Sequence, residues 1–221
     1  MSYNFDTIAH SYDRMNRMMT FGLDRRWRKC AVRGLQGNVL DVACGTGDMV
    51  VSLAKQGCTV TGVDISEEML EMARLKAKGE RLMVADAEQL PFADGEFDAV
   101  TCAFGVRNFV HLEQGLREML RVLKPGGTMV ILELATPDNI FIKPFYNLYT
   151  RHVIPWLGSR IAGNRDAYTY LPESIARFPK GDAFLNIIQN SKFKIHNCCQ
   201  RKLTFGVCRL YKVVKNKEVT D

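Results

Sequence analysis

The stretch Asn38-Val39-Leu40-Asp41-Val42-Ala43-Cys44-Gly45-Thr46-Gly47-Asp48 decides the fold. Its apolar run passes straight into a glycine turn. Met49-Val50-Val51-Ser52-Leu53-Ala54-Lys55 then has the apolar spacing of a short helix ending before Gly57. The reading is strand, tight turn, helix. Glycine at such a turn lets a ligand approach the backbone where a side chain would obstruct it. In an open parallel sheet, the loops at the strand C-terminal ends form the ligand crevice. A dinucleotide-binding G-x-G-x-x-G needs a third glycine where Val50 stands, which disfavours an NAD-linked oxidoreductase. Asp41 and Asp48 place negative charge beside the loop, hostile to phosphate and favourable to an ammonium or sulfonium centre.

Working outward, the pattern repeats. Cys58–Val63 reads as a second strand ending at Asp64, and Ser66 can cap a helix over Glu67–Ala77. Arg81–Val84 is a third strand ending at Ala85-Asp86, Phe97–Cys102 a fourth, and Leu112–Leu123 the helix after it. Lys124-Pro125-Gly126-Gly127 breaks that helix before a fifth strand, Thr128–Leu132. Such alternation implies a mostly parallel sheet covered on both faces. From Pro137 to Pro179 the chain is rich in Tyr, Phe, Trp and Pro, with helical stretches at Phe145–His152 and Glu173–Phe178; it reads as an inserted cover. A helix at Gly181–Gln189 and strands near Lys192–Cys198 and Gly206–Val214 follow, the last two able to pair as a hairpin across Cys199–Phe205. One domain over 1–221 is expected, with a lid at 1–30 and an acceptor-side insert at about 137–180.

Successive strand ends outline a nucleoside site. An acid at Asp64, nineteen residues after Gly45, suits a ribose diol, and Asp86 could take an adenine amino group. Each aspartate alone could simply start a turn; their joint placement is what favours a ligand.

Composition narrows the rest. The 221 residues are 47% hydrophobic with a formal charge of +6, and the charges are spread along the chain. The cluster Arg25-Arg26 with Arg28-Lys29 reads as a solvated or lipid-facing helix surface, and no nucleic-acid partner is expected. Seven cysteines without a CxxC fit a reducing compartment, and the four histidines form no zinc pattern, so no metal is expected. The opening residues lack the apolar core of a signal peptide; the expected location is cytoplasmic.

Several stretches make the chain resemble the class I methyltransferases and, more closely, the ubiquinone/menaquinone biosynthesis C-methyltransferase family in its demethylmenaquinone branch. They are Phe5–Ala9, Tyr12-Asp13-Arg14-Met15-Asn16, Leu40–Asp48, Asp86–Phe92, Phe104-Gly105-Val106-Arg107-Asn108, Arg121–Gly127 and Tyr170-Leu171-Pro172-Glu173-Ser174-Ile175. The glycine loop and the Arg121–Gly127 stretch mark the broad class, and the others the quinone branch. Two departures stand out. Glu133-Leu134-Ala135-Thr136-Pro137 replaces a Glu-Phe-Ser-x-Pro run, and Thr204-Phe205-Gly206-Val207 lacks a double glycine.

The resemblance implies an α/β, Rossmann-like class I methyltransferase fold with a seven-stranded, mostly parallel sheet and an antiparallel C-terminal strand. It implies S-adenosylmethionine as cofactor, S-adenosylhomocysteine as product, and methyl transfer to a ring carbon of a polyprenylated quinol. That acceptor is demethylmenaquinol, or a polyprenyl methoxy-benzoquinol in the ubiquinone route; another small hydrophobic acceptor is the alternative. Contact with the cytoplasmic face of the inner membrane and a homodimer are compatible with it.

On this basis the expected cofactor residues are Tyr12, Asp41, Gly45, Thr46, Gly47, Asp64, Ile65, Asp86, Ala87 and Ala103. Arg107, at the crevice rim after the fourth strand, is expected to stabilise a phenolate; the alternative is that it ties its loop to an acid. Asn108 is expected to orient water or the second ring oxygen, and His152 is a candidate for proton management, with His10 and His111 as lesser ones. Tyr12 and Asp13 belong to the lid, Tyr12 against the cofactor and Asp13 ordering the segment.

Overall fold

In a computed structural model of the chain, the apolar run becomes β1 (Asn38–Val42), in the middle of a seven-stranded sheet. The structure describes residues 9–157, 165–190 and 195–217, with side chains from 12–156, 170–190 and 195–217. The other strands are β2 (Thr59–Asp64), β3 (Arg81–Val84), β4 (Phe97–Ala103), β5 (Leu123–Leu134), β6 (Ile195–Leu203) and β7 (Cys208–Lys215). Their order is β3-β2-β1-β4-β5-β7-β6, with β7 antiparallel to both neighbours and the first five strands parallel. The order reverses between β1 and β4, where an open sheet leaves its crevice.

β1 is buried from Val39 to Val42, and apolar there except Asp41, because both its faces are covered. The covering helices are α1 (Ala9–Met19), α2 (Leu23–Val32), α3 (Asp48–Ala54), α4 (Glu67–Lys76), α5 (Leu112–Arg121), α6 (Ile142–Leu148), α7 (Ile154–Leu157), α8 (Arg165–Arg177) and α9 (Asp182–Gln189). Val39 joins Trp27, Val32, Val50 and Leu53 of α2 and α3. Leu40 and Val42 join Leu116 and Met119 of α5 and Phe184 and Ile188 of α9. Ser66 caps α4 as expected, accepting the Met69 N–H at 3.1 Å. Gly47, at φ 81°, allows close packing of the glycine turn on α4, since a Cβ there would lie 3.0 Å from the Ala73 Cβ.

Three elements differ from the sequence reading. Lys124-Pro125-Gly126-Gly127 lies inside β5, which begins at Leu123; a register irregularity opposite, between Phe97 and Ala99, accommodates a proline that cannot donate to the ladder. β6 runs on to Leu203, and the hairpin turn is the short Thr204–Gly206. The polar run Gln200-Arg201-Lys202 hides this strand because it lies at the sheet edge, where charge is tolerated and discourages further pairing. The insert is more helical than its prolines suggest. α6 continues through a π-helical turn, Tyr149–Val153, into α7, and α8 runs through Pro172.

The hairpin turn is strained. Thr204 and Phe205 take φ values of 45° and 56°, a region that side chains disfavour. Trp27 Nε1 holds the turn by donating to Thr204 Oγ1 at 2.9 Å. Asp138 pins the start of the insert to the hairpin, accepting from Lys180, Lys202 and Arg209; hydrogen bonds from the two lysines hold its carboxyl well below the usual carboxylate range. The Phe205 ring is 74% exposed, so removing it loses little packing. Phe205→Gly should therefore stabilise the protein by about 1 kcal/mol, read as a thermal midpoint about 2–4 °C higher. A lower midpoint would mean that glycine's greater unfolded-state entropy outweighs the relieved strain.

Candidate functional site

The loops at the C-terminal ends of β1, β2, β3 and β4 enclose a crevice of about 400 Å³ lined by Gly45, Asp64, Ile65, Asp86, Ala87 and Ala103, with Tyr12 of α1 also lining it. Two backbone N–H groups fix the Asp64 carboxylate, Gly45 to Oδ2 at 2.8 Å and Ser66 to Oδ1 at 3.0 Å. Each carboxylate oxygen has a further acceptor site, so a positioned Asp64 can still take the hydroxyls of a diol. Asp86 Oδ1 similarly accepts the Glu88 N–H at 2.8 Å. Ile65 is 72% exposed beside the crevice, an apolar surface ready to meet a flat ligand.

A smaller hollow of about 30 Å³ continues from it, lined by Tyr12, Arg28, Asp41, Gly45, Thr46 and Asp48 among others. Thr46 Oγ1 donates to Asp13 at 2.5 Å, and Lys76 bridges Asp13 and Asp48, so α1 is clamped to the glycine turn and to α4. Burial opposes ionisation of Asp48, but the Lys76 and Arg28 cations hold its carboxyl below the usual range. Asp41 is the opposite case. Burial pushes its carboxyl up to about 7 against the Thr101 hydroxyl bond (2.6 Å) and the Arg28 charge, and its Oδ2 has no partner among the described residues.

Arg28 is the clearest omission from the sequence reading, which placed it on a surface with Arg25, Arg26 and Lys29. Those three are exposed, but Arg28 is buried, paired to Asp24 at 2.7 Å and laid over the Phe104 ring at 5.1 Å. The spacing Asp24, Trp27, Arg28, Ala31 was the available signal, because it is the inward face of a helix.

Beside the crevice, and sharing Tyr12 and Phe104 with it, lies an apolar cavity of about 200 Å³. Met19, Trp27, Tyr149, Ile154, Leu171 and Ile175 give it its aromatic and aliphatic walls, drawn from α1, α2 and the insert. Arg107 also lines it, from a 3₁₀ turn at Val106–Asn108. This corrects the expectation of a cation at the crevice rim. The Arg107 side chain is 4% exposed, and its Nη1 donates to Glu133 Oε1 at 2.6 Å and to the Phe104 carbonyl at 2.5 Å. Burial works against its charge, yet Glu133 more than offsets this and raises its pKa, so the loop is tied to an acid.

Asn108 Oδ1 accepts the Tyr170 hydroxyl at 3.1 Å and borders both the crevice and a further hollow under α8. His152 is exposed on the π-helical turn and is not among the residues lining these cavities. His111 edges the crevice with its ring on Glu88 at 2.8 Å, and the His10 side chain lies outside the described residues. Of the expected cofactor residues, all except Gly47 line the crevice or its hollow; Gly47 shapes the turn and packs on Ala73 instead.

Comparison with known proteins agrees with this geometry. Residues 2–215 match the ubiE/COQ5 methyltransferase family. The chain belongs to that family. It is 43% identical to a demethylmenaquinone methyltransferase of Bacteroides fragilis, over 96% of this chain and 90% of the relative. It is 42% identical to the ubiquinone/menaquinone biosynthesis C-methyltransferase UbiE of Geotalea daltonii, over 94% and 92%. Its fold is that of a methyltransferase structure from Thermotoga maritima, with a TM-score of 0.68 at 20% identity, covering 96% of this chain and 98% of that one.

As a ubiE/COQ5 family member, the protein is an S-adenosylmethionine-dependent methyltransferase. The residues present suit that cofactor: a fixed acid at the end of β2, and beyond the glycine turn a hollow that carries a buried acid and a buried cation for a zwitterionic amino-acid end. Among the described residues, no group of three or more His, Cys, Asp or Glu is placed to hold a metal.

The raised Asp41 pKa carries a sign that can be checked. Between the ordinary carboxylate range and about 7 the folded state holds a proton that the unfolded state has released, so this residue's contribution to stability falls as pH rises. Asp41→Asn keeps an acceptor for Thr101 without the charge. Urea unfolding of the ligand-free protein should show the variant gaining on wild type from pH 5 to pH 8. A stability difference independent of pH would refute the shift.

Proposed function

We propose that the protein transfers a methyl group to a ring carbon of a polyprenylated quinol, converting demethylmenaquinol to menaquinol. The observation that carries this reading is the apolar, aromatic-walled cavity meeting the cofactor crevice at Tyr12 and Phe104. The names of the two relatives point to the same class of acceptor.

S-adenosylmethionine, when bound, supplies an electrophilic methyl on a sulfonium. Asp64 would accept the ribose hydroxyls, and Asp86, with Ile65 and Ala87 lining the same crevice, would receive the adenine. Thr46, Asp41 and Arg28, which line the hollow, would hold the amino-acid end, the cation for its carboxylate and the acid for its ammonium. Tyr12 lines both the crevice and the apolar cavity, and Ala103 the crevice and its hollow. Holding the acceptor carbon in line is worth a large part of the rate. Arg107 stays protonated and so cannot be the base; its guanidinium supplies positive charge where the quinol oxygen becomes phenolate. Glu133 holds that guanidinium in place.

The acceptor arrives from a bilayer, and the insert is suited to meet one. Ile140, Phe141, Phe145, Leu148 and Trp156 are exposed there with Lys143 and Arg151 among them, an apolar face with cations for anionic headgroups. Among the described residues, no helix is long and apolar enough to cross a membrane. Replacing Phe141 and Phe145 together by serine should lower cosedimentation with anionic vesicles several-fold while leaving methylation of a short-chain, water-soluble quinol intact. Undiminished cosedimentation would rule this face out.

Product analysis with reduced demethylmenaquinone and, separately, the methoxy-benzoquinol tests the acceptor, and methylation of neither would sink the reading. The role of Arg107 needs a paired design. Arg107→Met strands the buried Glu133 carboxylate, which costs about 3–5 kcal/mol of stability, so Glu133→Gln is combined with it. In the double variant, single-turnover methylation should remain about 100-fold slow with near-normal cofactor affinity. Recovery to the Glu133→Gln rate would leave Arg107 a purely structural tie.

A further inference from the structure

We propose that Asn16 and Tyr146 are the side chains that hydrogen-bond the two ring oxygens of the acceptor, one from each side of the apolar cavity. The inference rests on the quinol reading above and adds which residues recognise the ring.

Asn16 closes the Tyr12-Asp13-Arg14-Met15-Asn16 stretch, and the other members of that stretch already have places. Tyr12 borders the crevice, Asp13 takes Thr46 and Lys76, Arg14 is exposed and Met15 is fully buried. Asn16 lies one helical turn beyond Tyr12, on the same face of α1, and lines the apolar cavity. Its backbone carbonyl accepts from Thr20, but its side-chain amide has no partner among the described residues.

Tyr146 lines the same cavity from α6, within the electrostatic reach of Arg107. Its hydroxyl likewise has no partner among the described residues. Burial pushes the phenol up to about 12, so it remains a neutral donor at physiological pH.

Other polar side chains of the wall have partners, although the Nε atoms of Arg28 and Arg107 have none among the described residues. The Tyr149 hydroxyl donates to the Met19 carbonyl at 3.1 Å, Thr150 to the Tyr146 carbonyl at 2.9 Å, and Trp27 to Thr204 at 2.9 Å. Asp24 accepts from both Thr20 and Arg28. An amide and a hydroxyl left open on a mainly apolar cavity are available to the polar groups of a ligand. A few placed polar groups in an apolar pocket are also what fixes a ligand's orientation. A quinol ring carries two oxygens on opposite edges and an apolar body between them. An amide can donate or accept and a phenol can donate, so the pair can serve a hydroxyl at one end and a developing phenolate at the other.

The test is binding of a short-chain naphthoquinol in the presence of S-adenosylhomocysteine, followed by tryptophan fluorescence under anaerobic conditions. It is repeated with the two naphthols that each lack one ring hydroxyl. Asn16→Leu and Tyr146→Phe should each weaken the quinol about tenfold, the loss of roughly one hydrogen bond, and leave S-adenosylhomocysteine affinity unchanged. Each variant should also match wild type on one naphthol, a different one in each case, because the oxygen it reads is absent there. Quinol affinity unaltered in both variants, or equal losses on the quinol and both naphthols, would overturn the assignment. A wild-type protein that ignores the quinol would overturn the acceptor reading itself, and this assignment with it.

Discussion

The buried ion pair between Arg107 and Glu133 is the contact on which the site's shape depends. It joins the turn after β4 to the end of β5, and it places a guanidinium between the apolar cavity and the hollow under α8. Both side chains are almost wholly withdrawn from water, so neither is tolerable without the other. Glu133 also accepts the Leu134 N–H at 2.8 Å, which fixes the carboxylate before the arginine is considered. The cation is therefore preorganised, and its cost is met by folding and not by substrate binding.

Backbone strain concentrates around the same cavities. Phe21, Ala43, Phe104, Thr204 and Phe205 have positive φ without being glycine, and the first four line one cavity or another. Such conformations persist only where the surroundings over-determine them. At Ala43 and Phe104 the cause is local: both follow parallel strands that must turn sharply to leave the crevice open, and the Phe104 N–H is still held by the Leu132 carbonyl at 2.7 Å. Phe21 and Thr204 lie on the far side, where α1 gives way to α2 and where the hairpin turns.

Much of this was legible in the sequence, for identifiable reasons. β1 to β4 and their helices are short apolar segments closed by Gly, Asp or Ser, and local chemistry alone fixes such boundaries. Asp64, Asp86 and Ala103 follow directly, because the end of a parallel strand is a position that chain order determines. The residues whose surroundings were not legible depend on tertiary packing. Arg107 reads either as a rim cation or as a tie to an acid, and that acid is Glu133, twenty-six residues later. Arg28 reads as surface because two exposed arginines precede it; its helical spacing from Asp24 was a local signal of the inward face, and Phe104 is the distant residue it packs on. His152 has a favourable residue type and an unfavourable orientation, which no spacing rule conveys across a π-helical turn.

The clamp of Asp13, Lys76 and Asp48 bears on how the two ligands come and go. α1 carries Tyr12 over the crevice and Asn16 into the apolar cavity, and a bridging cation anchors the helix by its first turns. One helix that lines both chambers cannot lift from one without disturbing the other. On the proposed reading, cofactor and acceptor would therefore both depend on the same helix moving, although one is hydrophilic and the other greasy.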